Sequence, residues 1–238
     1  MSGGQGRGHG HGHGHDHGHH GGHGHDHGHG EGHDGGHGGH GRHRNFGNPD
    51  DLASYLARLE GPDRAEWQKP DEVVRALELP PGAVVGEVGA GPGYFTLRLA
   101  RAVGPSGKVI AVEVVPEILA VLEQRLAAAG VGNVAPLLSP AEDPRLPPGA
   151  CDLVLVVNTF HHFPEEVAYL RKLAAALRPG GRLVNVDFHK RELPVGPPPE
   201  MKVTREEFLA SAAAAGLDLV EEHGFLPHQY FLVLRPRR

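Results

Sequence analysis

Residues 87–96 read Glu-Val-Gly-Ala-Gly-Pro-Gly-Tyr-Phe-Thr and directly follow an apolar run with the pattern of a strand. Glycine allows a tight turn, and it lets a ligand lie against the backbone at the N-terminus of the following helix. The dinucleotide fingerprint G-x-G-x-x-G would need glycine at the position of Tyr94. The spacing here is G-x-G-x-G, at Gly89, Gly91 and Gly93, with the carboxylate of Glu87 two residues before it. We therefore predict a cofactor-binding turn that differs from the dinucleotide type.

A second carboxylate, Glu113, ends the next apolar run along the chain. Burying part of a charged group costs free energy, so a carboxylate at this position needs a reason. At the C-terminal edge of an open α/β sheet it can accept hydrogen bonds from both hydroxyls of a ribose. We interpret Glu113 as a ribose-binding residue rather than a surface glutamate, and we place the adjoining Val114 in the same cofactor site.

Apolar, β-branched segments alternate with helical segments along the chain from residue 83, as in a parallel sheet covered on both faces. Strands are predicted at 83–88, 108–112, 134–138, 152–157, 182–187, 217–222 and 230–234. Only residues 224–229 separate the last two, which is too short for a crossover helix and makes them antiparallel. The sequence thus predicts an α/β, Rossmann-like fold with a seven-stranded, mostly parallel sheet, an antiparallel last strand and helices on both faces.

Helix signals fill the gaps between these strands. Apolar residues recur at helical spacing over 49–60, and Pro70 stands in the first turn of a second short helix. Further helices are predicted from Gly93 to residue 104, over 116–130 and from 164 to before 179. The last helix begins with a capping box, Thr204 to Glu207. The proline-rich segment 193–200 is interpreted as a lid over the acceptor pocket, with a plain connector as the alternative.

The first 44 residues differ in composition from the rest. Fifteen of the 20 histidines lie between His9 and His43, mostly alternating with glycine. Such a segment has nothing apolar to bury and much backbone entropy to lose, so we predict a disordered N-terminal tail over 1–44. The remaining residues, 45–238, are expected to form one domain with its own core.

Imidazole groups on a flexible glycine chain can surround one divalent ion, so the tail is predicted to bind Ni²⁺, Zn²⁺ or Cu²⁺ in several arrangements. The alternative is that such binding has no role in the cell, because degenerate sites lack a fixed geometry. The predicted metal ligands are His9, His11, His13, His15, His17, His19, His20, His23, His25, His27 and His29.

Charge, cysteine content and hydropathy exclude several classes of protein. A net charge of −6 is a poor match for a phosphate backbone, so we expect no nucleic acid partner. Cys151 is the single cysteine, which rules out an intramolecular disulfide, and it is predicted to be buried. No apolar run is long enough to span a membrane, and none at the N-terminus resembles a secretion signal. We therefore expect a cytoplasmic protein.

Taken together, the motifs resemble those of the class I S-adenosylmethionine-dependent methyltransferases, and the resemblance runs from about Trp67 to Leu234. It rests on 87–93, Glu113, 139–143, 152–162 and 177–182. Within that class the sequence is similar to the quinone-biosynthesis C-methyltransferases and to many methyltransferase-domain proteins of unknown substrate. The resemblance implies S-adenosylmethionine as cofactor and methyl transfer as the activity.

The resemblance also implies roles for individual residues. Glu87 would orient the amino end of the methionine moiety, and Asn158 would lie near that moiety. The glycine turn would pass under the sulfonium and the ribose, and residues 141–143 would flank the adenine. Where relatives present an aspartate to the adenine amino group, this chain has Pro140, so Glu142 or a backbone carbonyl would substitute.

An activated sulfonium needs a base only when the acceptor's own proton must leave. Candidate catalytic residues follow predicted strands four and five, at the edge where open α/β sheets place their sites: His161, His189 and Asp187. A packing role is the alternative for each histidine, and it is favoured for His162. The residues after strand four lack the Pro-Pro-aromatic continuation of enzymes that methylate planar amides or adenine, so a small molecule is the expected acceptor.

Two other functions remain compatible with the residues. One is a methyltransferase-like domain that binds or senses a ligand without catalysis, with the tail handling metal. The other is a nicotinamide-dependent oxidoreductase, which Tyr94 and the final hairpin disfavour.

Overall fold

A computed structural model describes residues 51–237, which contain a seven-stranded sheet with the order β3-β2-β1-β4-β5-β7-β6. The strands are β1 Val84–Val88, β2 Lys108–Glu113, β3 Val134–Leu138, β4 Cys151–Val157, β5 Leu177–Phe188, β6 Leu217–His223 and β7 Gln229–Pro236. Strands β1 to β5 pair in parallel, whereas β7 lies antiparallel between β5 and β6. The predicted seven strands and the antiparallel final pair are confirmed.

Helices precede the sheet and connect its strands. They are α1 Leu52–Leu59, α2 Arg64–Gln68, α3 Pro70–Ala76, α4 Thr96–Val103, α5 Pro116–Ala128, α6 Glu166–Ala176 and α7 Arg205–Ala214. Short 3-10 helices cover Phe160–His162 and Pro199–Met201. The capping box at the start of α7 is confirmed, since the side chains of Thr204 and Glu207 each accept from the other's backbone N–H.

The core lies on both faces of the sheet because successive strand residues point to opposite sides. On β4, Val154 and Val156 pack with α6 and α7, whereas Leu153 and Leu155 pack with α3 and α4. Leucines of α5 form a third cluster around Ala111 on the α4 side of the sheet. The predicted helices on both faces are therefore confirmed.

The structure departs from the predicted elements at the start of β5 and in its shortest helices. Strand β5 begins at Leu177, five residues before the predicted start, because Leu177 pairs with Cys151 before the register shifts and Arg182 pairs with Leu153. The Pro-Gly-Gly segment between them is an irregularity within the strand. In the sequence, proline and glycine at this point were interpreted as the end of a helix, so the strand was predicted to start after them. The five-residue α2 was not predicted, because so short a helix shows no periodicity.

No helix within residues 51–237 is long and apolar enough to cross a membrane. The predicted tail over 1–44, with its metal-binding histidines, lies outside the described residues. The glycine turn and the ends of β2, β4 and β5 meet at the C-terminal edge of the parallel strands, where such sheets bind ligands.

Candidate active site

The glycine turn between β1 and α4 is held against the end of β2. The backbone N–H groups of Gly89 and of the following residue both donate to the carbonyl of Val112, at 3.0 Å. A side chain at Gly89 is excluded, because its Cβ would come within 2.3 Å of the Thr159 hydroxyl and its φ is +74°. At Gly93, with φ +96°, a Cβ would meet Leu122 at 2.7 Å. The turn therefore depends on glycine for both conformation and packing.

Glu113 ends β2 beside this turn, and its carboxylate is fixed by three backbone N–H donors. One oxygen accepts from Gly91 at 2.9 Å, and the other accepts from Val114 at 2.8 Å and Val115 at 3.1 Å. Glu113 is only 6% exposed. Burial raises the pKa of its carboxyl, and the three hydrogen bonds offset part of this increase. A carboxylate held this way keeps further lone pairs that can accept from a ligand.

Glu87 lies in β1 and is 4% exposed. Its carboxyl accepts a hydrogen bond of 2.6 Å from the hydroxyl of Thr96, at the start of α4. Burial raises the pKa of Glu87 to about 8, because a charged carboxylate is poorly solvated there. With this pKa the carboxyl is mostly protonated at neutral pH.

A cavity of about 890 Å³ opens at this edge of the sheet. Of the predicted cofactor residues, it is lined by Glu87, Gly89, Gly91, Glu113, Val114 and Asn158. The volume lies in the upper range of small-molecule sites. Helix α1 contributes Tyr55, Arg58 and Leu59 to the lining of the cavity, and none of its residues is buried.

His161 and Asp187 form a pair at the cavity. The Nδ1 atom of His161 lies 3.2 Å from a carboxylate oxygen of Asp187, and the side chains are only 6% and 1% exposed. The other Asp187 oxygen accepts from the backbone N–H of Phe188 at 2.8 Å, which fixes the carboxylate. His161 lines the cavity, so the structure brings together two of the three predicted catalytic residues.

His162 also lines the cavity, with its ring centre 4.1 Å from that of His161. Burial lowers the pKa of His162 to about 4, and the neighbouring His161 adds to this effect. The ring is therefore neutral near pH 7, with one nitrogen that can donate a hydrogen bond and one that can accept.

Asn158 follows β4 in a left-handed conformation, with φ +53°, which asparagine tolerates better than most residues. Its side-chain oxygen accepts from the amide of Gln229 at 2.5 Å, and the Gln229 oxygen accepts from the amide of Gln68 at 3.1 Å. Gln68 and Gln229 are fully buried. This amide chain orients Asn158 from α2 and β7, and no sequence signal indicated it, because its members are up to 161 residues apart.

Besides Asp187, which is buried against His161, three predicted residues lie outside the lining of the cavity. The ring of His189 packs edge-on against Tyr230 with centres 6.0 Å apart, and burial lowers its pKa. Glu142 is exposed, and its carbonyl accepts from Lys172, whereas its neighbour Ala141 lines the cavity. Gly93 packs against the side chain of Leu122.

Residues of α1, α2 and the proline-rich segment also line the cavity. The sequence analysis assigned no residue of α1 or α2 to the site. They include Tyr55, Arg58, Arg64 and Trp67 on the helices, and Val195, Gly196, Pro197, Pro198 and Met201 in and after the segment. The Trp67 and Phe188 rings lie 5.4 Å apart and form an aromatic wall.

Comparison with known proteins agrees with this geometry. Residues 85–181 match the family described as a methyltransferase domain. The ubiquinone/menaquinone biosynthesis C-methyltransferase UbiE of Hahella chejuensis is 32% identical over 115 residues, covering 48% of this chain and 46% of that protein. Nocamycin O-methyltransferase of Saccharothrix syringae is 31% identical over 103 residues, covering 43% and 37%.

A solved structure extends the match over more of the chain. The crystal structure of a SAM-dependent methyltransferase from Aquifex aeolicus superposes with a TM-score of 0.73 at 27% identity, covering 79% of this chain and 97% of that one. Residues 85–181 are thus a methyltransferase domain, and the fold of the described chain is that of the class I S-adenosylmethionine-dependent methyltransferases. The chain spans less than half the length of the curated relatives it matches.

Proposed function

We propose that this protein transfers the methyl group of S-adenosylmethionine to a small-molecule acceptor. The observation that supports it most directly is the Glu113 carboxylate, held by three backbone N–H groups beside the glycine turn and facing the cavity. When bound, S-adenosylmethionine supplies a methyl group already activated on a sulfonium. The residues of the chain then have to bind, orient and exclude water.

The cofactor would lie along the turn, with its ribose hydroxyls donating to Glu113. Glu87 lies at the other side of the turn, where a positively charged amino group would favour its ionised form. Asn158, held by Gln229, also lines the cavity and offers its amide to the same moiety. The adenine would lie by Ala141 and Val114 rather than against Glu142, which is exposed.

His161 is the proposed general base. The Asp187 carboxylate orients the ring through Nδ1 and would stabilise the cation formed when Nε2 takes the acceptor's proton. The neutral His162 beside it would contribute a hydrogen bond. His189 packs against Tyr230, so we assign it no proton-transfer role.

The acceptor is proposed to be a small molecule with an apolar or aromatic body. Trp67, Phe188, Pro198 and Met201 line the cavity. The matched relatives named above are a C-methyltransferase of quinone biosynthesis and an O-methyltransferase, which is compatible with such an acceptor but does not identify it.

Two measurements test this function. Calorimetry should show binding of S-adenosylhomocysteine and none of NADH, and tritium from S-adenosyl-[methyl-³H]methionine should enter a small-molecule extract.

His161→Ala should lower the transfer rate about 100-fold or more while leaving the affinity for S-adenosylhomocysteine unchanged. His189→Ala is the matched control and should retain the rate. Binding without transfer to any extract would instead support a ligand sensor, and a loss of rate confined to His189→Ala would move the base to that residue.

For the histidine-rich tail we propose binding of Ni²⁺, Zn²⁺ or Cu²⁺ by His9 to His29. Neutral imidazole is a good ligand for all three ions, and glycine spacers impose little geometric restriction. Within residues 51–237 no group of three or more His, Cys, Asp or Glu is arranged to hold a metal ion. The tail is therefore the part of the chain in which this binding is proposed.

A further inference from the structure

Arg64 stands out among the residues that line the cavity, because it is a half-buried cation in the short helix α2. Its Nε donates to the side-chain oxygen of Gln68 at 2.7 Å, and its Nη1 donates to the carbonyl of Leu59. The guanidinium carbon lies 3.8 Å from the centre of the Tyr94 ring. Two hydrogen bonds and a stacked ring therefore fix the plane of the guanidinium at the wall of the cavity.

The charge of Arg64 has no counter-ion in the described part of the chain. Among residues 51–237 no carboxylate oxygen lies within 4.0 Å of its guanidinium nitrogens, and the nearby Glu60 is paired with Arg125 instead. Within the same residues Nη2 makes no hydrogen bond, so donors remain for a ligand. Burial lowers the pKa of Arg64 to about 10, which reflects the cost of removing this cation from water.

A desolvated cation with spare donors is most stable opposite an anion, and a guanidinium suits a carboxylate because both are planar forks. We propose that Arg64 binds the carboxylate at the amino-acid end of S-adenosylmethionine. This inference rests on the proposed function. It assigns to α2, which lies outside the matched residues 85–181, the recognition of one end of the cofactor.

The position of Glu87 supports this orientation. Arg64 and Glu87 both line the cavity, and they are close enough for the cation to lower the pKa of that carboxyl. An amino acid carries a carboxylate and an ammonium on the same carbon, so one end of the cofactor presents a matching pair of charges. The carboxylate would meet Arg64 and the ammonium would meet Glu87, while the adenosyl end meets Glu113.

Arg98 provides a matched control. It lies at the same Tyr94 ring, with its guanidinium carbon 4.7 Å from the ring centre. Unlike Arg64, it already pairs with a carboxylate, that of Asp71 at 3.0 Å, and it does not line the cavity. Removing its charge should perturb the packing of Tyr94 without removing a ligand for the cofactor.

The test compares S-adenosylhomocysteine with S-adenosyl-3-thiopropylamine, which lacks only the carboxylate, by calorimetry on the full chain. Arg64→Met should weaken binding of S-adenosylhomocysteine about 10-fold or more and leave binding of the amine within about 2-fold. Arg64→Lys should recover part of the loss, and Arg98→Met should resemble the wild type with both ligands.

Three outcomes would overturn the proposal. An equal loss with both ligands would make Arg64 a structural residue of α2, and no loss with either would place the carboxylate elsewhere. If the wild-type protein binds neither nucleoside, the proposed function itself fails, and the role of Arg64 fails with it. Retained binding of the amine also shows that the Arg64→Met protein is folded.

Discussion

The side chains at and around the cavity differ in how far their partners lie along the sequence. Glu87, Gly89 and Gly91 belong to one strand-turn-helix unit and Glu113 to the next strand end. Residue type and spacing therefore indicated that these four lie together, and all four line the cavity. Arg64 and the Gln68–Gln229 pair depend on contacts across the fold, and no local pattern marks them. His161 and Asp187 were predicted as candidates, but only the fold shows that they lie 3.2 Å apart.

His189 illustrates why a loop residue after a strand is hard to assign. It comes directly after β5, as expected for a site residue, but its backbone N–H donates to the carbonyl of His228 and its ring turns toward Tyr230. The direction of a chain leaving a strand depends on its neighbours in the sheet. Here the neighbour is β7, inserted between β5 and β6.

The buried carboxyl of Glu87 should make the stability of the protein depend on pH. Its pKa is about 8 in the folded chain and 4.5 when exposed, so the folded state binds the proton more tightly. Its contribution to the free energy of unfolding is fully present below about pH 4.5 and is lost as the pH rises through about 8. Each pH unit between these two values removes roughly 1.4 kcal/mol of that contribution.

Glu87→Gln should remove this dependence, because the amide oxygen still accepts from Thr96 and carries no charge. Urea unfolding at pH 5 and pH 8.5 should show the wild type losing stability relative to Glu87→Gln as the pH rises. Glu123→Gln, at an exposed position of α5, serves as control and should follow the wild type. Parallel behaviour of wild type and Glu87→Gln would show that Glu87 is not protonated in the folded state.

At the scale of elements, the sheet was predicted well because its strands are strongly apolar and separated by glycine and proline. The elements that were not predicted at all share a cause: α2 has five residues, and the 3-10 helices have three each, so none shows a period. These short elements are also the ones that complete the cavity, with Arg64, His161 and Met201 on or beside it. Sequence patterns therefore indicated the glycine turn and Glu113, but not the short elements that line the rest of the cavity.

The proline-rich segment 193–200 is tied at its base. The buried Lys202 donates to the carbonyl of Arg191 at 2.8 Å, which brings the two flanks of the segment together. Between these flanks Gly196 lies flat on Phe188, since a Cβ at Gly196 would come within 2.7 Å of that ring. We propose that the segment acts as the lid over the acceptor, in line with Val195 and Pro197 lining the cavity.

Gly196→Ala tests the lid. The added methyl group at φ +86° should lift the segment off Phe188 and lower tritium transfer from S-adenosylmethionine into the small-molecule extract several-fold. Binding of S-adenosylhomocysteine, measured by calorimetry, should stay the same, because Glu113 and the turn are on other elements. Gly224→Ala is the control, as a Cβ there meets nothing within 4 Å. Unchanged transfer in Gly196→Ala would make the segment a connector.

The whole molecule combines a sheet typical of methyltransferases with an N-terminal segment of unusual composition. A division at about residue 44 is a prediction from composition alone, because the apolar residues needed for a core begin only after it. The inserted β7, by contrast, required the sheet itself, since a short hairpin connection fixes an antiparallel pair but not its place in the strand order.

Removal of residues 1–44 tests the two-part organisation. Titration with Ni²⁺ should show several ions bound by the full chain and no tight binding by residues 45–238, because the proposed ligands are removed. Thermal unfolding followed by circular dichroism should give the truncated chain a midpoint similar to that of the full chain. Several ions bound by residues 45–238 would contradict the assignment of metal binding to the tail.

Glu113 carries the claim that the cavity holds an adenosyl cofactor, and calorimetry with S-adenosylhomocysteine tests it most directly. Glu113→Gln replaces one acceptor oxygen by an amide donor that would face the N–H groups of Gly91 or Val114 and the ribose hydroxyls. We predict an affinity loss of about 10-fold or more, with Glu117→Gln at an exposed position of α5 binding as the wild type does. An unchanged affinity in Glu113→Gln would contradict the account.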